Sequence, residues 1–299
     1  MFSPKWLRVI PLHLMLVPAL LLVLVYSYGP IAGIYLAFEK FMPSKGLFGS
    51  PFIGLDNFRY VWDLPDTNQV LINTIVIAGM KIVLNVTAPI ILALLLNEVR
   101  LKFFKRSIQT IVYLPYFLSW VLLGGILIDI LSPSQGIVNQ ILQSIGLKPI
   151  FFLGDPAWFR FTVIVTDLWK EIGFNTIVFL AAITSASPSL YEAAVIDGAN
   201  RWKQTLNVTL PSMLPIIVLI ATLSLGNVLN AGFDQIFNLY SPQVYSQGDI
   251  LDTFVYRIGI IDTQYGVATA VGLFKSVISF LFISISYLLA YRFANYRIF

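Results

Sequence analysis

The sequence predicts an all-α polytopic membrane protein with six transmembrane helices, and three observations carry that prediction. Its 299 residues are 58% hydrophobic and 11% charged, with a mean hydropathy of +0.82, more apolar surface than a soluble domain of this length hides. Six apolar runs are long enough to cross a bilayer, which takes about 20 helical residues each. Basic residues gather in short clusters that fall in alternate connections between those runs, the pattern that sets orientation in a membrane.

The first run, about 12–37, lacks a small-residue cleavage site close after a short apolar core. It reads as an anchor rather than a removed signal peptide. With the outer segment that follows, it makes an N-terminal region of residues 1–69. The transmembrane domain proper covers 70–291, with spans at about 70–97, 108–131, 159–184, 212–233 and 266–291, and a tail at 292–299. Pro18, Pro30, Pro89 and Pro115 lie inside spans, where proline kinks a helix and neighbours re-satisfy the freed carbonyls. In the outer connections, Gly54-Leu55-Asp56-Asn57-Phe58 is flanked by Phe52, Tyr60 and Trp62, which suits a short amphipathic helix at the interface. Residues 137–145, after Ser132-Pro133-Ser134-Gln135-Gly136, form a second short outer helix.

Lys5 and Arg8, then Arg100, Lys102, Lys105 and Arg106, then Arg201 and Lys203, and finally Arg292 and Arg297 share one side. The other side holds Lys40, Lys45, Arg59, Lys148, Arg160 and Arg257, spread over longer loops. The dense side is cytoplasmic, so both termini and the loop 185–211 face the cytoplasm. The net charge of +4 follows this topology and does not call for nucleic acid. Cysteine is absent and His13 is the single histidine. That excludes disulfides, thiol catalysis, histidine metal clusters and histidine-based triads, and places His13 at the interface.

The loop carries the most specific pattern in the chain. Glu192-Ala193-Ala194-Val195-Ile196-Asp197-Gly198 is followed, nine residues on, by Val208-Thr209-Leu210-Pro211. It resembles the E-A-A-x3-G-x9-I-x-L-P signature of the membrane subunits of binding-protein-dependent ABC importers, with Val208 standing for isoleucine. Trp169-Lys170-Glu171-Ile172-Gly173, the run Gly232 to Leu239, the run Asp252 to Arg257 and the run Tyr265 to Ser276 are similar to the carbohydrate uptake type 1 class. Within it they look like the lipo-oligosaccharide or multiple-sugar branch, which includes importers for acidic pectin-derived and alginate oligosaccharides. The resemblance implies the type I ABC importer permease fold in a bacterial cytoplasmic membrane. It also implies half of a pore completed by a second, related permease, two ABC ATPase subunits and an extracytoplasmic solute-binding protein. ATP and Mg2+ would belong to the ATPase subunits, since no G-x4-G-K-[ST] occurs here, and this chain would be no enzyme and hold no cofactor.

In that family the signature forms a coupling helix in a cleft of the ATPase. Here Glu192, Ala193, Ala194, Asp197, Gly198, Ala199, Leu210 and Pro211 would make the joint: small residues for close approach, carboxylates for charge-assisted hydrogen bonds, and Pro211 to start the next helix. The plainer alternative, that Glu192 and Asp197 cap and solvate the loop, is compatible with this.

A transport pathway is read from polar groups at membrane depth, because each is costly against lipid. Lys81 and Asn85 are one turn apart on the second span. Asp167, Lys170, Glu171 and Asn175 form one stripe on the fourth. Asn227, Asn230 and Asp234 follow on the fifth, and Lys275 lies in the sixth. Trp169, Phe174, Phe233 and Phe237 stand nearby, and aromatic faces beside amides suit a hydroxyl-rich ring. The alternative is structural: carboxylates neutralising Lys170 and asparagines tying helices together. The three lysines point to an acidic sugar, while Asp167, Glu171 and Asp234 at similar depth point away from one. A secondary transporter of sugars or small solutes would also have six spans and buried charges, but leaves the 192–211 signature unexplained.

Overall fold

The computed structural model describes residues 4–294, all of whose regular elements are helical apart from one isolated bridge between Glu39 and Phe52. Arg297 lies outside the described residues, as do the side chains of Lys5, Arg8 and Arg292. The chain divides into two compact units, Met1–Pro65 with Val255–Phe274, and Asp66–Phe254 with Lys275–Phe299.

In the first unit, helix α1 (Pro4–Val23) continues through a wider turn, Leu24–Tyr28, into a tighter one, Gly29–Phe38. Pro30 opens the tight stretch, where its missing N–H costs nothing. Its apolar stretch, Pro11–Phe38, buries none of its most hydrophobic part within this chain. A helix apolar all round and uncovered by its own chain needs lipid or another subunit around it. Helix α2 (Asp56–Asp63) follows Gly54, which has φ +62°. Asn57 in it is buried and donates to the carbonyls of Ala37 (2.9 Å) and Glu39 (3.0 Å). The Gly-Leu-Asp-Asn-Phe element thus closes the end of the first long helix, satisfying carbonyls that its termination frees.

The second unit holds α3 (Thr67–Glu98), α4 (Lys102–Tyr113), α5 (Trp120–Ile130), α6 (Ile137–Ser144) and α7 (Pro156–Thr184). It continues with α8 (Pro188–Ile196), α9 (Arg201–Gln204), α10 (Leu210–Gly226), α11 (Phe233–Leu239) and α12 (Tyr245–Gly248). Two further helices run across the division between the units, α13 (Leu251–Tyr256) and α14 (Tyr265–Ala294). The pair α3 and α7 is its most extensive helix contact. Two glycines set close crossings. A Cβ at Gly173 of α7 would sit 2.4 Å from the Val112 carbonyl oxygen, and one at Gly226 would sit 2.8 Å from Ile283 Cγ1.

Among the described residues, four helices are long and apolar enough to cross a membrane: Pro11–Phe38, Thr67–Glu98, Arg201–Gly226 and Tyr265–Leu288. The number rises to six if each of two bent pairs is one span. The protein is therefore an all-α polytopic membrane protein.

Two expected spans differ from single helices. The run 108–131 is bent by 108° between Lys102–Phe117 and Trp120–Ile130. Pro115 tightens the turn Leu114–Phe117, and Ser119, in extended conformation, caps α5 by accepting from the Leu122 N–H at 3.3 Å. Periodic apolar residues continue through the break, so hydropathy alone conceals it. The run 212–233 also departs from a single helix: α10 ends at Gly226, and 227–232 is non-helical before α11.

Candidate functional site

The second unit carries an open cavity of about 480 Å³ where α3, α5, α7, the end of α10 and the unwound 227–232 segment meet. Seven of the ten residues expected along a pathway line it: Lys81, Asn85, Asp167, Glu171, Asn175, Asn227 and Asn230. Helical periodicity accounts for the first five. On α3, residues 81 and 85 share a face, and on α7 so do 167, 171 and 175. The other two come from the break, where irregular backbone at membrane depth is tolerated because it lines a cavity.

Lys81 holds that break in place. Buried to 7% exposure, it pairs with Asp167 Oδ1 at 2.9 Å, donates to the Ala231 carbonyl at 2.8 Å and to Gln235 Oε1. An ammonium has three donors, so these three acceptors use all of them. Gln235, itself fully buried, donates onward to the Val163 carbonyl (2.7 Å) and Thr166 Oγ1 (2.9 Å). Gly232 completes the corner with φ +94°, and a Cβ there would lie 2.9 Å from Lys81 Nζ. Asp167 Oδ2 in turn accepts from Asn85 Nδ2 at 2.9 Å. One network thus joins α3, α7 and the broken fifth run.

The remaining three candidates lie outside the cavity lining. Lys170 turns toward α4–α5, donating to the Tyr116 carbonyl at 2.9 Å, with Glu171 Oε1 at 3.7 Å and its ammonium 5.0 Å from the Tyr116 ring centre. Lys275 pairs with Asp252. Asp234 sits in the first turn of α11. The aromatics also differ from expectation. Phe174 stacks on Tyr116 at 4.5 Å, Phe233 stacks on Phe237 at 5.2 Å, and Trp169 is 45% exposed. The aromatic in the lining is Trp120, with Ser224 as a further small polar group. Trp120 was recoverable only from the Ser119 cap at the bend, because it reads otherwise as one more apolar span residue.

The signature loop is an exposed helical hairpin. Glu192, Ala193 and Ala194 lie in α8, and Asp197 ends it. Gly198 adopts φ +73°, the left-handed conformation of a helix C-terminal glycine, with Gly198 N–H bonded to Val195 (3.0 Å) and Ala199 N–H to Ala194 (2.8 Å). Asn200 caps α9 by accepting from the Lys203 N–H at 2.9 Å. Gln204 Nε2 bonds the Ala199 carbonyl at 2.8 Å, and Tyr191 and Thr209 hydroxyls meet at 3.0 Å, bracing the hairpin. Leu210 and Pro211 open α10. A second feature of this loop is apolar: Val195, Ile196 and Trp202 are 61%, 85% and 69% exposed. Large apolar side chains so exposed in a polar hairpin mark a contact surface. The sequence analysis does not single out these three; their one signal there is apolar residues inside a charged loop.

Residues 85–295 match the family of binding-protein-dependent transport system inner membrane components. The chain is 39% identical over 279 residues to Protein LplB of Bacillus subtilis (strain 168), covering 93% of this chain and 86% of that protein. It is 36% identical to the polygalacturonan/rhamnogalacturonan transport system permease protein YteP of the same organism, covering 95% and 88%. Among solved structures, it is similar to a chain of a bacterial ABC transporter involved in the import of the acidic polysaccharide alginate. There the TM-score is 0.90 at 37% identity, over 97% of this chain and 99% of that one. The chain belongs to the binding-protein-dependent transport system inner membrane component family. It is a non-catalytic permease subunit of an ABC import system, located in the cytoplasmic membrane.

Proposed function

We propose that this chain forms half of the translocation pathway for oligosaccharides and transmits a separate ATPase's closure to that pathway through residues 185–211. One observation carries the reading: the exposed signature hairpin connects α7 and α10, whose other parts line the polar cavity. Movement of the hairpin therefore moves Glu171 and Asn175 on one helix and Asn227 at the end of the other. The lining suits a sugar, with asparagine amides for hydroxyls and Trp120 as an apolar face. The similarity to LplB, YteP and the alginate importer chain supports the oligosaccharide class.

The same reading counts each bent pair as one span, giving six in the type I importer arrangement. Residues 1–69 are then an anchor region, 70–291 the transport domain, and 292–299 the tail, with both termini and the hairpin cytoplasmic. The partners are a second related permease, two ATPase subunits and an extracytoplasmic binding protein. Glu192, Ala193, Ala194, Asp197, Gly198, Ala199, Leu210 and Pro211 form the joint, together with Ile196 and Trp202.

The test is reconstitution of the whole importer in proteoliposomes with Gly198→Asp. A Cβ at Gly198 meets nothing within 4 Å in this chain, so the substitution adds only the cost of a left-handed residue, which aspartate tolerates comparatively well. Oligosaccharide uptake and ATPase stimulation should both be lost while the chain still inserts. Normal transport in that variant refutes the coupling assignment.

A further inference from the structure

Helix α4 (Lys102–Tyr113) meets α7 along one side, where the Val112 carbonyl and Tyr113 Cα crowd Gly173. At about 100° per residue, its other residues fall into two sectors. Lys102, Lys105 and Arg106 share one, with Arg100 just before the helix. Phe103, Phe104 and Ile111 share the second, and all three are exposed, Phe103 to 86% and Ile111 to 71%.

The chain itself covers neither sector. Among the described residues, none of the four basic side chains makes an ion pair. Glu98 is the only acid between Asp66 and Asp129. Water on all sides would leave Phe103 and Ile111 wetted, while acyl chains on all sides would strip water from the cations. The boundary between headgroups and acyl chains meets both demands, and an amphipathic helix with a basic polar face lies there. The excess of one sign then chooses among headgroups, since clustered cations at a membrane surface attract anionic lipids over zwitterionic ones.

We propose that α4 is a binding site for an acidic phospholipid. Lys102, Lys105 and Arg106 hold the headgroup, and the acyl chains lie against Phe103, Phe104 and Ile111. The apolar sector separates this ligand from a free phosphate, which needs the cations alone. The site requires only the chain's place in a membrane, and neither the sugar nor the ATPase assignment. It bears on the pathway by contact: α4 crosses α7 at Gly173, and the turn after it supplies the Tyr116 carbonyl that Lys170 binds at 2.9 Å.

The chain has no cysteine, so Ser107→Cys puts a single thiol beside the apolar sector. It is labelled with bimane, and the importer is assembled with cysteine-free partners in phosphatidylcholine nanodiscs that contain some phosphatidylglycerol. Brominated acyl chains, carried by one lipid or the other at equal mole fraction, quench the probe on contact. Brominated phosphatidylglycerol should quench at least threefold more than brominated phosphatidylcholine. That preference should fall at least twofold in about 1 M salt, where the screening length is about 3 Å. It should vanish in Lys102→Gln/Lys105→Gln/Arg106→Gln and survive in Lys102→Arg/Lys105→Arg. Inorganic phosphate should reduce it no more than chloride of equal ionic strength. Equal quenching by the two lipids, or a preference that persists in the glutamine variant, overturns the proposal. Weak quenching by both means that protein covers this face, and displacement by phosphate means a site for a free anion; either result also overturns it. If the glutamine variant fails to insert, the salt dependence of the chain with its basic residues intact decides alone, and a salt-independent preference refutes the site.

Discussion

Replacing Lys81 with methionine should be the most destabilising single change in the cavity wall, and the structure says by how much. The Lys81–Asp167 pair is separated by 2.9 Å, with side-chain exposures of 8% and 13%. At an effective dielectric near 20 the attraction is about 6 kcal/mol, much of it offset by the cost of taking both ions out of water. Methionine removes the cation and leaves the cost. Asp167 keeps only the Asn85 amide, and the Ala231 carbonyl and Gln235 Oε1 lose their shared donor. Breaking a buried pair from one side costs about 3–5 kcal/mol, and that is the expected loss for Lys81→Met. Removing both charges with Lys81→Met and Asp167→Leu together should recover at least half of it. The assay is equilibrium unfolding of the full-length chain in mixed micelles, read as a double-mutant cycle. A loss below about 1 kcal/mol for Lys81→Met, or a double variant as unstable as the two singles added, would show that the pair does not hold α3, α7 and the 227–232 segment together.

Gly173→Ala should lower thermal stability by about 2–3 kcal/mol, the upper part of the overpacking range. Its Cβ would meet the Val112 carbonyl oxygen and Tyr113 Cα, backbone atoms that no rotamer change can move; a melting temperature equal to wild type would contradict the α4–α7 crossing. Asn57→Ala should cost about 1–3 kcal/mol by leaving the Ala37 and Glu39 carbonyls without their donor. Limited proteolysis between residues 38 and 56 should then speed up, and an unchanged pattern would speak against Asn57 as the tie. Ile196→Asp, at a side chain 85% exposed, should leave stability within about 0.5 kcal/mol while reducing stimulated ATP hydrolysis at least tenfold; full stimulation would exclude Ile196 from the docking face.

What could be read from sequence followed the periodicity of polar residues within apolar helices. Asp167, Glu171 and Asn175 recur at helical spacing, and the structure brings them to one wall with Lys81 and Asn85. Lys170 sits one position from Glu171 and so on another face of α7, where it serves the packing against Tyr116. Spacing of three from Asp167 was too coarse to separate those faces. The breaks were hidden for a different reason. Residues 227–232 are stabilised by tertiary contacts to Lys81 and by a left-handed Gly232, and neither leaves a mark in hydropathy. Trp120 was concealed in the same way, since its role depends on the bend before it.

On the proposed coupling, the break in the fifth run sets where motion is absorbed. From Leu210 to Gly226, α10 is about 24 Å long at 1.5 Å per residue, so a tilt of about 10° at the hairpin displaces its far end by about 4 Å. Asn227, the residue that ends α10, travels with that end. Ala231 is tethered to α3 through Lys81, and α11 is tethered to α7 through Gln235. The compliance must then lie between Asn227 and Ala231, within the cavity wall. Spin labels make this measurable in a chain without cysteine. Between labels at Asn85→Cys and Ser224→Cys, the distance should change by about 3–4 Å on ATP binding to the assembled importer, the displacement of the helix end above. Between Asn85→Cys and Phe233→Cys it should stay within about 1 Å, because that end of the break is held by the Lys81 network. Equal changes in both distances would mean that the segment moves as a rigid extension of α10, and that Lys81 is no anchor for it.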